Sequence, residues 1–309
     1  MTAGPPPPDR PTHPRSISLL TDRELAQRLN RGGPADTAVT DEYYRRVIPL
    51  FRATLGVHWH TGFHLPGHAA VGPDDQIRMI EVVTDSIGVQ AGSRVLDVGC
   101  GIGGTLVWLA RSRGIEAIGL TPVEEQRLIG QQLIAQHGAG DRAHIVLGHA
   151  DRLPFPDESF DAVLFFESAC HFPDRAAFFR EAMRVLRRGG AIAGEDWTAC
   201  EGLSLDQQHR LIQPIERTWS IPALGTARHY CGQMVAAGFD RVLSIDLKSE
   251  SNLRRAFMAD RSQQIELMNS INTCTAPLEQ LVLEGFLRLG QALAEDAFTI
   301  TRFSAHKPA

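Results

Sequence analysis

From Arg94 onward the apolar positions alternate between two patterns. Short unalternating runs such as Val95-Leu96 and Val163-Leu164-Phe165-Phe166 are separated by segments whose apolar residues recur three and four apart. Such runs are strands buried on both faces, and the spaced segments are amphipathic helices. Strands are predicted at 94–98, 116–120, 143–147, 162–166, 191–197, 241–247 and 298–304. Helices are predicted at 105–112, 123–137, 175–186, 204–219, 230–237, 253–269 and 278–294. Strands alternating with helices give an α/β fold, a mainly parallel seven-stranded sheet with helices on both faces. Upstream, helices are predicted at 16–30, with Thr21-Asp22 as its cap, at 41–55 and at 74–87, around a loop at 58–68 rich in histidine and aromatic residues.

This pattern divides the chain into a proline-rich tail at 1–15, disordered by composition, an N-terminal helical region at 16–73 and a core at 74–309. Two stretches, 198–229 and 249–297, exceed what the alternation needs. With the N-terminal helices they are expected to form a helical lid over the carboxyl ends of the strands, where open α/β sheets bind ligands. The stripe of Leu19, Leu20, Leu25 and Leu29 is too short to be stable alone, and Gly32-Gly33-Pro34 uncouples it from the next helix. It must pack on its own chain or on a second copy, so a homo-oligomer is expected.

Composition narrows the classes. No apolar run is long enough to span a membrane, and no apolar segment follows a basic start, so neither a membrane span nor a secretory signal is expected. A net charge of −5 makes no nucleic-acid footprint. The five cysteines, Cys100, Cys170, Cys200, Cys231 and Cys274, show no paired spacing and read as reduced thiols of a cytoplasmic protein. His58, His60, His64 and His68 crowd one loop, but no metal is expected there. The acid pair Asp74-Asp75 lacks the longer aspartate run of a diphosphate site, so a free prenyl diphosphate is not the expected substrate.

The chemistry starts at Val95-Leu96-Asp97-Val98-Gly99-Cys100-Gly101-Ile102-Gly103-Gly104, a strand entering a glycine turn that opens a helix. Glycines let backbone approach a ligand, and the helix start presents free N–H groups. Asp97 would repel a pyrophosphate, and the turn lacks the third glycine spacing of a dinucleotide site. An acid beside such a turn suits the ammonium of S-adenosylmethionine.

Here the chain resembles the class I S-adenosylmethionine-dependent methyltransferases, which implies a Rossmann-like fold. Gly119-Leu120-Thr121 with Gln126 resembles the ribose region of the cyclopropane-synthase and sterol-methyltransferase group. Gly148-His149-Ala150-Asp151-Arg152-Leu153-Pro154-Phe155 resembles the family's adenine segment, with His149 where the family has aspartate. The resemblance implies cofactor contacts from Asp97, Gly99, Cys100, Gly101, Gly103, Leu120, Thr121, Gln126, His149, Ala150, Asp151 and Glu167.

Glu167-Ser168-Ala169-Cys170-His171 resembles a segment of the sterol C-methyltransferases, and Tyr43-Tyr44 through Trp59-His60-Thr61-Gly62-Phe63-His64 resembles their upstream region and that of the tocopherol methyltransferases. At the level of the whole chain the resemblance extends to the bacterial terpenoid C-methyltransferases of the teleocidin type, which act on a geranyl-indole. It implies methylation of an isoprenoid alkene through a carbocation that can then cyclise, with an apolar small-molecule substrate. Glu167, His171 and Tyr44 are then the catalytic candidates, as negative field, base and π-face. Tyr43, Trp59, His60, Phe63 and Phe166 are the substrate-binding candidates, although Tyr43 and Tyr44 cannot both face the site from one helix. Methylation of oxygen or nitrogen is the alternative; it needs only a base, His171 or His64, beside the acceptor.

Overall fold

The first strand forms because Val95, Leu96 and Val98 can all be buried at once, on alternate faces of a sheet covered on both sides. In the computed structural model, which describes residues 17–31, 36–65, 72–257 and 261–309, it becomes the centre of the molecule. The proline-rich tail, Gly32-Gly33-Pro34 and His68 lie outside the described residues. The strands are β1 (Arg94–Val98), β2 (Glu116–Thr121), β3 (Ala143–Leu147), β4 (Phe160–Phe166), β5 (Leu186–Ala199), β6 (Asp240–Asp246) and β7 (Phe298–His306). They form one seven-stranded sheet in the order β3-β2-β1-β4-β5-β7-β6. The first five run parallel; β7 runs antiparallel to both of its neighbours.

The helices are α1 (Asp22–Arg31), α2 (Thr37–Thr54), α3 (Pro73–Asp85), α4 (Gly104–Arg113), α5 (Glu124–Gln136), α6 (Arg175–Val185), α7 (Leu205–Gln207), α8 (Gln213–Thr218), α9 (Ala227–Ala236), α10 (Leu253–Ala256), α11 (Arg261–Thr273) and α12 (Pro277–Ala294). On one face of the sheet Leu96, Val163, Phe165 and Phe303 pack with Phe178 and Phe179 of α6 and Tyr230 and Met234 of α9. On the other, Val95, Leu164, Phe166 and Trp197 pack with Met79, Ile80 and Val83 of α3 and Leu106 and Leu109 of α4.

Every predicted strand is present. Two predicted helices are broken. The segment at 204–219 becomes α7, a π-helical turn (Gln208–Ile212) and α8, because Pro214 has no N–H to donate and the wider turn absorbs the missing bond. The segment at 253–269 becomes α10 and α11. Two helix starts also shift to the residue that caps them. Thr21 and Glu24 exchange hydrogen bonds at 2.7 and 3.2 Å, so α1 begins at Asp22 after a 3-10 turn rather than at 16. Asp36 accepts from the Ala38 N–H at 3.2 Å, so α2 begins ahead of 41. α1 packs in its own chain against α8 and α12, burying Leu25 and Leu29, while Leu19 is left 71% exposed.

The strand order reverses between β1 and β4, which opens a crevice at their carboxyl ends. The loop after α2 folds down on the glycine turn there. A Cβ on Gly104 would sit 2.2 Å from the Val57 carbonyl oxygen, and one on Gly101 would sit 3.2 Å from the Trp59 ring. Replacing Gly104 with alanine should therefore destabilise the protein by about 1–3 kcal/mol through forced displacement of backbone, although alanine is the better helix former. Chemical denaturation of Gly104→Ala checks this; an unchanged or raised midpoint would show that the loop is free to move away.

Candidate active site

Two carboxylates stand at the crevice because of where their strands end. Asp97 is the penultimate residue of β1 and lies level with Leu164 of β4. Glu167 follows the last residue of β4, in a left-handed conformation at φ 42°. That conformation is strained for a residue with a Cβ. It is held from both sides: the Glu167 N–H donates to the Glu195 carbonyl at 3.0 Å, and its Oε1 accepts from the Thr61 N–H at 3.0 Å. Next along the chain, Ser168 donates to the Val98 carbonyl at 2.7 Å and tethers the end of β4 to the end of β1. The Ser168 side chain fills the space that a Cβ on Gly99 would occupy.

Neither acid faces a lysine or arginine among the described residues. Asp97 is buried and its Oδ1 has no hydrogen-bond partner; burial pushes its carboxyl up to about 7. Burial likewise raises Glu167 to about 7, against the pull of the Thr61 N–H and the nearby Trp197 indole, with Asp196 adding to the rise. Both line one cavity of about 500 Å³. Its walls include Tyr44, Phe51, Trp59, Phe166, Trp197 and Trp219, and among the described residues lining it there is no lysine or arginine.

The histidines differ in what they touch. His171 Nε2 is 2.7 Å from the Tyr44 hydroxyl, and the two rings meet edge to face at 5.0 Å. Burial raises Tyr44 well above the ordinary tyrosine value and lowers His171 to about 4, so Tyr44 is the donor and His171 the neutral acceptor. The helix after His171 is capped by Asp174, which accepts from Ala177 N–H at 2.8 Å; His171 is not the cap. His60 lies on Phe166 with ring centres 5.1 Å apart, and burial lowers it to about 3. His58 is buried against the glycine turn and lowered to about 4. Among the described residues no group of three or more histidines, cysteines or acids is placed to hold a metal.

Of the other sequence-predicted positions, Gly99, Cys100, Gly101, Leu120, Thr121, Gln126, His149, Ala150 and Asp151 line the same cavity. The Leu120 carbonyl accepts from the N–H groups of Gly99 and Cys100 at 2.9 and 3.0 Å, which sets the turn. Thr121 donates to the Gln126 side-chain oxygen at 2.6 Å, leaving the amide nitrogen of Gln126 as a donor. His149 reaches back toward Asp41 of α2 at 3.9 Å. Three positions fall outside the lining. Gly103 turns toward Ile145. Tyr43 is fully buried behind Tyr44, because one step along a helix rotates the side chain by about 100°. Phe63 is buried in the core. The lining gains Trp197, Trp219, Phe257 and Phe286, which sequence reasoning did not single out. Trp197 was within reach, being two residues beyond Glu195 on the same face of β5; the other three come from the inserted segments, whose paths carry no motif.

Residues 96–194 match the family model described as a methyltransferase domain. The chain is 34% identical over 218 residues to the cycloartenol-C-24-methyltransferase of Arabidopsis thaliana, covering 70% of this chain and 64% of that protein. It is 34% identical over 200 residues to the chloroplastic tocopherol O-methyltransferase of the same plant, covering 59% and 57%. It spans 50–64% of the length of the first curated relatives it matches. The crystal structure of the [4+2]-cyclase SpnF superposes with a TM-score of 0.73 at 23% identity, covering 90% of this chain and 97% of that one, which speaks to the fold. By this domain, this sheet and these relatives, the chain carries a methyltransferase domain and is similar to the sterol and tocopherol methyltransferases.

Proposed function

We propose that this chain is a C-methyltransferase acting on an alkene of an isoprenoid, geranyl-type side chain carried by a small natural product such as an indole alkaloid. The observation that carries the reading is the character of the cavity. Acids (Asp41, Asp97, Asp151, Glu167 and Asp174) and aromatic faces line it, with no lysine or arginine among the described ones. Such walls stabilise positive charge and repel a diphosphate that has no metal ion to neutralise it. Alkene methylation develops a carbocation and needs no base at the start, so it suits these walls.

The residues fit S-adenosylmethionine, which when bound supplies an electrophilic methyl group. The unpartnered Oδ1 of Asp97 receives the ammonium, Thr121 and Gln126 the ribose, and His149, Ala150 and Asp151 the adenine edge. Glu167, fixed by Thr61, turns its carboxylate toward the reacting carbons and stabilises the cation as it forms. Tyr44, held by His171, and Trp59, His60 and Phe166 supply the walls that exclude water. Cyclisation of the cation onto an electron-rich ring belongs to the same reading. So does a homo-oligomer: the exposed Leu19 ahead of α1 supports it, and light scattering should give a mass above the 33.9 kDa of one chain. Methylation of oxygen or nitrogen is the second reading, favoured by the neutral imidazoles at the cavity and by the O-methyl relatives.

Incubation with a geranylated indole and S-adenosylmethionine labelled with ¹³C in the methyl group tests the reading. The label should appear at the shift of a methyl on carbon; a shift typical of a methyl on oxygen or nitrogen selects the second reading.

The cofactor site has its own signature. The Asp97 carboxyl, near 7 without the cofactor, must ionise to pair with an ammonium. Affinity for S-adenosylmethionine should therefore rise from pH 6 to pH 8, with proton release seen by calorimetry in buffers of different ionisation heat. Asp97→Asn should lose that dependence and about 1–3 kcal/mol of binding. Unchanged affinity would sink the assignment.

Glu167→Gln should lower turnover by about 100- to 1000-fold, the usual loss of one electrostatic stabiliser, with affinity for the cofactor little changed. Normal turnover at saturation with weakened binding would make Glu167 a binding residue only.

A further inference from the structure

A second histidine pair stands apart from Tyr44 and His171. His64 Nδ1 lies 3.1 Å from Asp75 Oδ2. Asp75 is fixed in turn by the Arg78 guanidinium, which donates to its Oδ1 at 2.8 Å, and by the Gly72 N–H at 3.3 Å from Oδ2. The acid pair in the sequence thus divides: Asp74 is exposed and Asp75 is buried against the imidazole. The loop reaches this place because residue 62 is glycine; a Cβ there would fall 2.6 Å from the Asp75 Cβ. On the far side the His64 N–H donates to Ser251 Oγ, and the His64 carbonyl accepts from Asn252 N–H, both at 2.9 Å. Three stretches distant in sequence therefore set this one ring.

His64 is 3% exposed and is part of the cavity wall, and its Nε2 is buried without a hydrogen-bond partner. A carboxylate at Nδ1 places the proton on that nitrogen and leaves the lone pair on Nε2. A buried lone pair without a partner is destabilising, so the partner it suits is one that arrives in the cavity. Among the described residues, the charged groups around the ring are Asp75 and Arg78 of α3 and Arg255 of α10. Burial, Arg255 and Arg78 lower its proton affinity while Asp75 raises it; the balance keeps it neutral at pH 7.

The other cavity histidines are less suited to hold a proton: His149 faces Asp41 only at 3.9 Å and is half-exposed. His171 Nε2 is occupied by Tyr44. His60 also has an unpartnered Nε2, but its Nδ1 meets only the Thr61 carbonyl, at 3.1 Å, and no carboxylate stabilises its charged form.

We propose that the Asp75–His64 pair is the base that ends the reaction, with His64 the catalytic residue and Asp75 its positioning residue. In the step, a C–H bond next to the cationic carbon breaks and its electron pair closes a carbon–carbon double bond. The proton passes to His64 Nε2, and Asp75 stabilises the imidazolium until the proton leaves to solvent. After a cyclisation the same transfer restores the aromaticity of the ring attacked. This rests on the alkene-methylation reading above.

The test uses the full chain with labelled S-adenosylmethionine and the geranylated indole as probe. His64→Gln should release S-adenosylhomocysteine in a first turnover close to the wild-type amount. The wild-type product should fall by about 10- to 100-fold, in the range lost with a general base, replaced by isomeric alkenes and a water-quenched alcohol. Asp75→Asn should change the product mixture in the same direction and move the acidic limb of the pH–rate profile to lower pH, since the imidazolium loses its carboxylate. An unchanged product mixture in folded His64→Gln would overturn the proposal while the methyl group remained on carbon. A methyl on oxygen or nitrogen would instead overturn the reading beneath it. Nitrogen-15 NMR of histidine-labelled wild-type protein needs no variant to fold: His64 should be neutral with Nδ1 protonated and Nε2 bare. The opposite tautomer would also overturn the proposal.

Discussion

The structure is organised around two carboxylates, Asp97 buried and Glu167 half-buried, that meet no cation among the described residues. Asp97 and Glu167 occupy the carboxyl ends of adjacent parallel strands at the point where the strand order reverses. Holding Asp97 ionised at neutral pH opposes folding by on the order of 4 kcal/mol, since its carboxyl is raised from 3.8 to about 7. The sign follows from linkage: the native state keeps a proton that the unfolded chain has lost, so this stability falls as pH rises between those two values. A fold keeps such groups where a positively charged ligand offsets the penalty. In the function proposed above, a sulfonium and ammonium donor does so at Asp97, and a cation developing on the substrate does so at Glu167.

Free entry of water would screen the negative field, and the loop packs directly on the turn. It approaches so closely because three glycines yield the space. Gly104 and Gly101 lie under Val57 and Trp59, and Gly62 lies against Asp75. A sequence motif read as backbone approaching a ligand is thus equally a motif for backbone approaching backbone. The same contact carries Thr61 to Glu167 and His64 to Asp75, so the loop both covers the site and supplies its polar partners. Tyr44 and His171 close the opposite wall from α2 and the turn after β4.

Part of the cavity wall is built from the elements with the weakest sequence signal. Trp219, Phe257 and Phe286 come from the two inserted segments, and each enters the cavity beside residues of the sheet and its turns. Their periodicity announces a helix but not which helix it meets. The π-helical turn before Pro214 shows why: one residue without an N–H changed the phase of the helix that carries Trp219.

What the sequence determined by itself is what local spacing can encode. The seven strands, the order of helices, the glycine turn and the acid at the end of each of two strands follow from burial period and turn chemistry. Asp97, Glu167, Thr121 and Gln126 were legible because each is tied to a strand end, and parallel strands carry their ends to one edge. The tertiary structure decided what depends on separate segments meeting. It chose Tyr44 over Tyr43, turned Gly103 and Phe63 into packing, and brought Trp197 and Trp219 into the wall. It also joined His64 to Asp75 across 11 positions of chain and seated both against Ser251 and Asn252. Side-chain period fixes which face of an element is buried; only packing fixes what that face is buried against.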